Sequence, residues 1–232
     1  MRIVLYGFEP FGGDAINPSQ LVARALDGAH IAGNVVIAHV LPVETRSLRA
    51  RLESLLNAER PSIVVGLGLA AGNASLAVER VAINALDSRI PDNQGFQAKG
   101  PIREDGAAAI FATLPTAEIV DRWRASAIPG YVSNSAGTFC CNHALYESLS
   151  WAQEQAGEAI LTGFIHLPYL PGQAAERDPS KTPSMALETM KRGVELAIET
   201  AVAALQRRAE EASKPPEDHK RTKGELWIPR GR

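Results

Sequence analysis

The sequence predicts a three-layer α/β/α sandwich, one domain with a twisted, mostly parallel (mixed) sheet flanked by helices. Three observations carry that prediction. Short β-branched runs alternate with amphipathic helical stripes, glycine-rich turns follow the early strands, and no internal repeat or second block of composition interrupts the pattern. At 232 residues the chain can bury a large core without disulfide or metal staples.

The elements follow in order. Residues 3–6 (Ile-Val-Leu-Tyr) read as a buried strand that ends in the turn Gly7-Phe8-Glu9-Pro10-Phe11-Gly12-Gly13. Asn17-Pro18 then opens a helix through Leu21, Val22 and Leu26, with Asn as N-cap and Pro at the first helical position. Residues 35–41 form a second strand, and Leu48, Leu52, Leu55 and Leu56 mark the stripe of a second helix. Residues 63–66 are a third strand and 76–84 a fourth, followed by a turn-rich stretch, 87–106. A short helix surrounds Ile119 and Trp123. A strand at Tyr131, a helix from Cys141 and a strand over 160–166 complete the core. Thr182-Pro183 opens a last helix striped by Leu187, Met190, Val194, Ile198 and Leu205. The expected division is an α/β domain over residues 1–206 and a charged, proline-containing tail over 207–232, either mobile or clamped in an oligomer contact.

Composition excludes several function classes. A net charge of −2 implies neither nucleic acid nor an anionic membrane surface as partner. The only cysteines, Cys140 and Cys141, are adjacent, so they cannot staple a fold. The five histidines are scattered, with no zinc-like spacing. No apolar run approaches membrane-spanning length, and the opening seven residues are too soon broken by glycine for a secretory signal. These features predict a soluble protein of a reducing cytoplasm.

The richest stretch is Ser133-Asn134-Ser135-Ala136-Gly137-Thr138-Phe139-Cys140-Cys141-Asn142-His143. A cysteine where a turn becomes a helix sits among unpaired N–H groups and the positive end of the helix dipole, which favour thiolate over thiol. The competing reading is a small buried hydrophobe. His166 ends a strand and is followed by a loop stiffened by Pro168 and Pro171, which could fix an imidazole. His143 is a poorer partner, because two helical residues stand roughly 200° apart. Glu79 shares a strand face with Ala77, Val81 and Ile83, and a carboxylate there needs a partner. Either a structural arginine, Arg80 or Arg89, or His166 would satisfy it. The Gly7–Gly13 turn lacks phosphate-loop spacing, and Glu9 would repel phosphate. Phe8 and Phe11 look instead like pocket walls or core.

Taken together these motifs resemble the pyroglutamyl-peptidase I (pyrrolidone-carboxylate peptidase) family of cysteine peptidases, over nearly the whole chain from Arg2 to about Leu205. The carrying segments are the Gly7–Gly13 turn with Asn17-Pro18-Ser19, Glu79-Arg80-Val81-Ala82-Ile83-Asn84, Arg89-Ile90-Pro91-Asp92-Asn93, the 133–143 stretch, residues 163–171 and Pro183-Ser184-Met185. The resemblance implies a catalytic triad of Glu79, Cys141 and His166, with Cys141 rather than Cys140 preceding Asn-His. It implies Arg89 as a support of the oxyanion site, and Phe8, Phe11 and Phe139 as the aromatic wall of a ring pocket. It further implies removal of N-terminal pyroglutamate (5-oxoproline) from peptides through an acyl-enzyme, no metal or organic cofactor, and a homo-oligomer, dimer or tetramer. The alternatives are another cysteine amidohydrolase of the same fold and a catalytically silent binding homologue. Cys140 is a departure, since many relatives carry an aliphatic residue there, and so is Asn73, near which relatives often carry arginine.

Overall fold

The alternating runs condense as the pattern anticipates in a computed structural model that describes residues 1–155, 159–178 and 180–213. The first half comprises β1 (Ile3–Phe8), α1 (Pro18–Leu26), β2 (His30–Ile31), β3 (Asn34–Leu41), α2 (Thr45–Glu59) and β4 (Ile63–Leu69). Short strands follow: β5 (Leu76–Glu79), β6 (Val81–Ile83), β7 (Leu86–Asp87), β8 (Lys99–Gly100) and β9 (Ala109–Phe111). The chain then forms α3 (Thr116–Ala125), β10 (Gly130–Ser133), α4 (Cys140–Glu154), β11 (Leu161–Leu167), α5 (Pro171–Ala175) and α6 (Leu187–Ser213).

Seven strands make the central sheet, in the order β10-β5-β11-β4-β1-β3-β2. Neighbours run parallel except at β11–β5 and β2–β3, so the sheet is mixed and mostly parallel. Strand alternation sorts the side chains onto two faces. Ile3, Leu5, Val65, Leu67, Leu76, Val78 and Ile165 belong to the core beneath α1, α3 and α6. Val4, Tyr6, Phe8, Val64 and Phe164 belong to the core beneath α2 and α4. Leu48, Leu52 and Leu56 are fully buried there, each contributing roughly 2 kcal/mol; Leu55, at the edge of the expected stripe, is only partly covered.

Three elements differ from the sequence reading. The expected strand 76–84 breaks at Arg80, whose N–H donates to Ser133 O while its carbonyl accepts from Ala112 N. Consequently β5 joins the main sheet, whereas β6 leaves it to pair with β9. The turn-rich stretch contains the small ribbon β7–β8. The last helix starts at Leu187, because Ser184 bridges to Tyr169 and Met185 N–H donates to Tyr169 O, which keeps that segment extended. The same helix continues to Ser213, and residues 214–232, the bulk of the expected tail, lie outside the described residues.

Candidate active site

The α2/α4 side of the sheet carries the candidate residues near the ends of β1, β4 and β11. His166 comes from β11, in register with Gly68 of β4 on one side and Ala77 of β5 on the other. Because β5 and β10 run against β11, residues 134–139 must carry the chain across β5 and β11 before α4 begins. That crossing sets Cys141 Sγ directly above Gly68: a Cβ at Gly68 would lie 2.7 Å from the sulfur and 2.9 Å from the Phe164 ring. Glycine is required here for space.

Glu79 and His166 are both buried, at 1% and 7% exposure, and His166 Nδ1 lies 2.7 Å from Glu79 Oε1. Glu79 therefore pairs with the imidazole and not with Arg80 or Arg89. The Cys141 side chain also acts on the His166 ring, and both line the same cleft. Since Nδ1 faces the carboxylate, Nε2 is left for the sulfur. Burial opposes a charge on this ring. Cys141 and the hydrogen-bonded Glu79 outweigh it and hold the ring's pKa well above the ordinary histidine value. The arrangement favours the protonated imidazole. Phe164 packs against the ring at 5.0 Å between centroids.

Cys141 is the second residue of α4, and the N-cap position, Phe139, makes no side-chain cap. The N–H groups of Cys141 and Asn142 carry no hydrogen bond among the described residues, so they are free donors beside the sulfur. Asn142 is fully buried and fixes this turn: its amide accepts from Ile83 N–H at 2.9 Å and donates to the carbonyls of Ile83 and Ala85.

Phe8 is held by a local network. Its N–H donates to Ser19 Oγ at 3.0 Å, Ser19 Oγ donates to Asn17 Oδ1, and Asn17 Nδ2 reaches Glu9 O. Gly7 permits this, because a Cβ there would meet Ser19 O at 2.3 Å. Phe11 and Phe139 face each other at 6.0 Å. With Phe8, Val43, Leu69 and Cys141 they enclose a slot of only about 10 Å³, the space of one water molecule. Beside it opens a cleft of about 590 Å³ lined by Glu79, Cys141, His166 and Arg89, among others. Arg89 is exposed, and its guanidinium has no hydrogen bond or ion pair among the described residues.

The remaining reactive groups do not line the cleft, although Cys140 lies behind the slot. Cys140 is 2% exposed, with its sulfur 3.7 Å from Thr45 Oγ1, and burial pushes its thiol up to about 12. His143 is buried 3.8 Å from Glu147 Oε1; burial, with Arg49 and Arg103 nearby, pushes its pKa down to about 4. It is a neutral structural histidine. Glu147 in turn receives Arg103 at 2.6 Å.

Sequence reasoning gave no role to Asn142 or Asp92. Asp92, buried in the turn after Arg89, accepts from Thr45 N–H at 2.8 Å and so caps α2 from a distant loop, while Gln94 and Phe96 N–H donate to its other oxygen. Its place in Pro91-Asp92-Asn93 was the available signal, because aspartate in such turns binds backbone N–H groups. Among the described residues, no group of three or more His, Cys, Asp or Glu side chains gathers as a metal site requires, and no helix is long and apolar enough to cross a membrane.

Known proteins match this chain along nearly their full length. A family model described as pyroglutamyl peptidase matches residues 1–204. The pyrrolidone-carboxylate peptidase of Coprothermobacter proteolyticus is 42% identical over 207 residues, covering 89% of this chain and 99% of that protein. The Klebsiella pneumoniae protein of the same name is 46% identical over 201 residues, covering 86% and 92%. Among solved structures, the pyrrolidone carboxyl peptidase of Thermococcus litoralis superposes with a TM-score of 0.86 at 37% identity, covering 89% of this chain and 96% of its own. A mutant of the Pyrococcus furiosus enzyme gives 0.85 at 38%, covering 88% and 100%. The chain belongs to the pyroglutamyl peptidase family.

Proposed function

We propose that this chain is a cysteine peptidase that removes an N-terminal pyroglutamyl residue from peptides, with Glu79, Cys141 and His166 as its triad. One observation carries the assignment of roles: a buried imidazole stands between a carboxylate at 2.7 Å and the Cys141 thiol, beside an aromatic slot. The Cys141 thiolate attacks the carbonyl that joins the lactam to the next residue. The His166 imidazolium gives its proton to the leaving amine, and Glu79 keeps the ring oriented and charged. The N–H groups of Cys141 and Asn142, with the unpaired Arg89 guanidinium, meet the developing oxyanion; one such donor is typically worth about 3–4 kcal/mol. His166 then takes a proton from water, which hydrolyses the thioester.

The lactam ring belongs in the slot between Phe8, Phe11 and Phe139. At about 10 Å³ the slot admits a ring only as Phe11 and Phe139 part, so binding is coupled to their separation. Release of a reporter amine from a pyroglutamyl amide, compared with a prolyl amide, tests the reading. The expected result is turnover of the first alone, because proline lacks the lactam carbonyl. Turnover of neither would favour a silent binding homologue; turnover of a different cyclic amide alone would favour another amidohydrolase.

Thiol chemistry rather than a metal should govern activity. Iodoacetamide is expected to inactivate the enzyme by labelling Cys141 alone, since the buried Cys140 thiol stays neutral at working pH. Excess EDTA with a reductant should leave activity intact. Zinc-reversible inactivation by EDTA would overturn the mechanism, and peroxide-dependent modification of Cys140 on a mass spectrum would contradict its enclosure.

The same reading assigns catalysis to residues 1–206 and extends to a cytoplasmic homo-oligomer, dimer or tetramer. Analytical ultracentrifugation of the full chain and of one ending at Ser213 reads the oligomer and any part the tail plays in it.

A further inference from the structure

The cleft, about 590 Å³, is far larger than a five-membered lactam needs, and its lining extends from Phe11 and Phe139 to Glu79 of β5 and to Tyr131 and Ser133 of β10. Four residues stand in one register row across the sheet: Gly68 on β4, His166 on β11, Ala77 on β5 and Tyr131 on β10. Paired residues of neighbouring strands share a face. Tyr131 therefore projects to the same side as His166, with only the methyl group of Ala77 between them. At about 4.8 Å per strand, Tyr131 lies roughly 14 Å from the point beneath the Cys141 sulfur. An extended peptide advances about 3.3 Å per residue. Its second residue beyond the scissile bond, with its side chain, covers that distance.

The Tyr131 ring lines the cleft and is 44% exposed, so it is not spent on the core. It is nevertheless held in place. Asn73, on the loop that follows β4, donates from Nδ2 to Tyr131 Oη at 3.2 Å, and that loop is closed by Asn73 N–H to Ala70 O. Thus a partly exposed aromatic ring, oriented from its polar end, forms the far wall of a trough whose near wall is the catalytic imidazole.

We propose that Tyr131 contacts the side chain of the second residue after the scissile bond, and that the enzyme accordingly favours a large apolar or aromatic residue there. This rests on the peptidase reading above. Asn73 is the positioning residue for the ring.

The test compares kcat/KM for pyroglutamyl-Ala amide, pyroglutamyl-Ala-Gly amide and pyroglutamyl-Ala-Phe amide. The wild-type protein should favour the Phe over the Gly substrate by about 5-fold, the scale of one aromatic contact, mainly through KM. Tyr131→Ala should bring that ratio to about one and leave pyroglutamyl-Ala amide unchanged; Tyr131→Phe and Asn73→Ala, which keep the ring but release its polar end, should each give a ratio between the two. A wild-type ratio near one, a ratio that survives Tyr131→Ala, or an equal loss on all three substrates overturns the proposal. Cleavage of none of them by the wild-type protein would instead overturn the peptidase reading itself.

Discussion

Cys141→Ser abolishes turnover, with kcat expected to fall by on the order of 10⁴–10⁶-fold, while Cys140→Ser leaves kcat within a few-fold of wild type. The two thiols are adjacent in sequence and opposite in environment. Cys141 lines the cleft with His166 and sits beside free N–H donors at the start of α4. Cys140 turns into the core against Thr45, and burial pushes its pKa up to about 12. A serine at 140 retains a partner in Thr45 Oγ1, so its cost is one of stability, about 1 kcal/mol. Steady-state kinetics on both variants, with thermal melts to show that each folds, checks the pair. An inactive but folded Cys140→Ser beside an active Cys141→Ser would reverse the assignment.

Gly68→Ala should lower kcat/KM by about 10²-fold, the scale of a 1 Å misplacement of a reacting group. Its Cβ would enter within 2.7 Å of Cys141 Sγ and 2.9 Å of Phe164, which packs on His166. Overpacking alone costs about 1–3 kcal/mol of stability. Gly66→Ala separates displacement of the sulfur from displacement of Phe164, which both substitutions cause. A Cβ there would meet Phe164 at 2.4 Å and Tyr6 at 2.6 Å, but it is not crowded by Cys141. Comparable destabilisation of both variants with a much larger kcat/KM loss in Gly68→Ala is the expected pattern. Equal kinetic losses would reduce Gly68 to a packing position.

Much of this site was legible in the chain because its chemistry is local. Asn17 and Pro18 announce α1, and the network they start fixes Phe8. Cys141 at a helix start and His166 at a strand end are likewise local facts. The partner of Glu79 was not. Alternation could place that carboxylate on a face, but Arg80, Arg89 and His166 remained open until the antiparallel register of β5 against β11 brought it to the imidazole. The break at Arg80 was hidden for a related reason: both its backbone groups are satisfied by residues more than thirty positions away, and nothing in the alternation of 76–84 records that. Asp92 as the distant cap of α2, Asn142 as the clamp on β6 and Gly68 as the seat of the sulfur are all long-range contacts of the same kind. Periodicity finds faces and caps; it does not find which face meets which.

The most direct test of the account is the covalent intermediate itself. Rapid acid quench of the enzyme during turnover of a pyroglutamyl ester, followed by digestion and mass spectrometry, should find a pyroglutamyl thioester on Cys141, absent in Cys141→Ser. The adduct should form while His166→Ala, folded, fails to accumulate it at a comparable rate. A pyroglutamyl group on any other residue, or full turnover with no acyl-enzyme in either protein, would contradict the account.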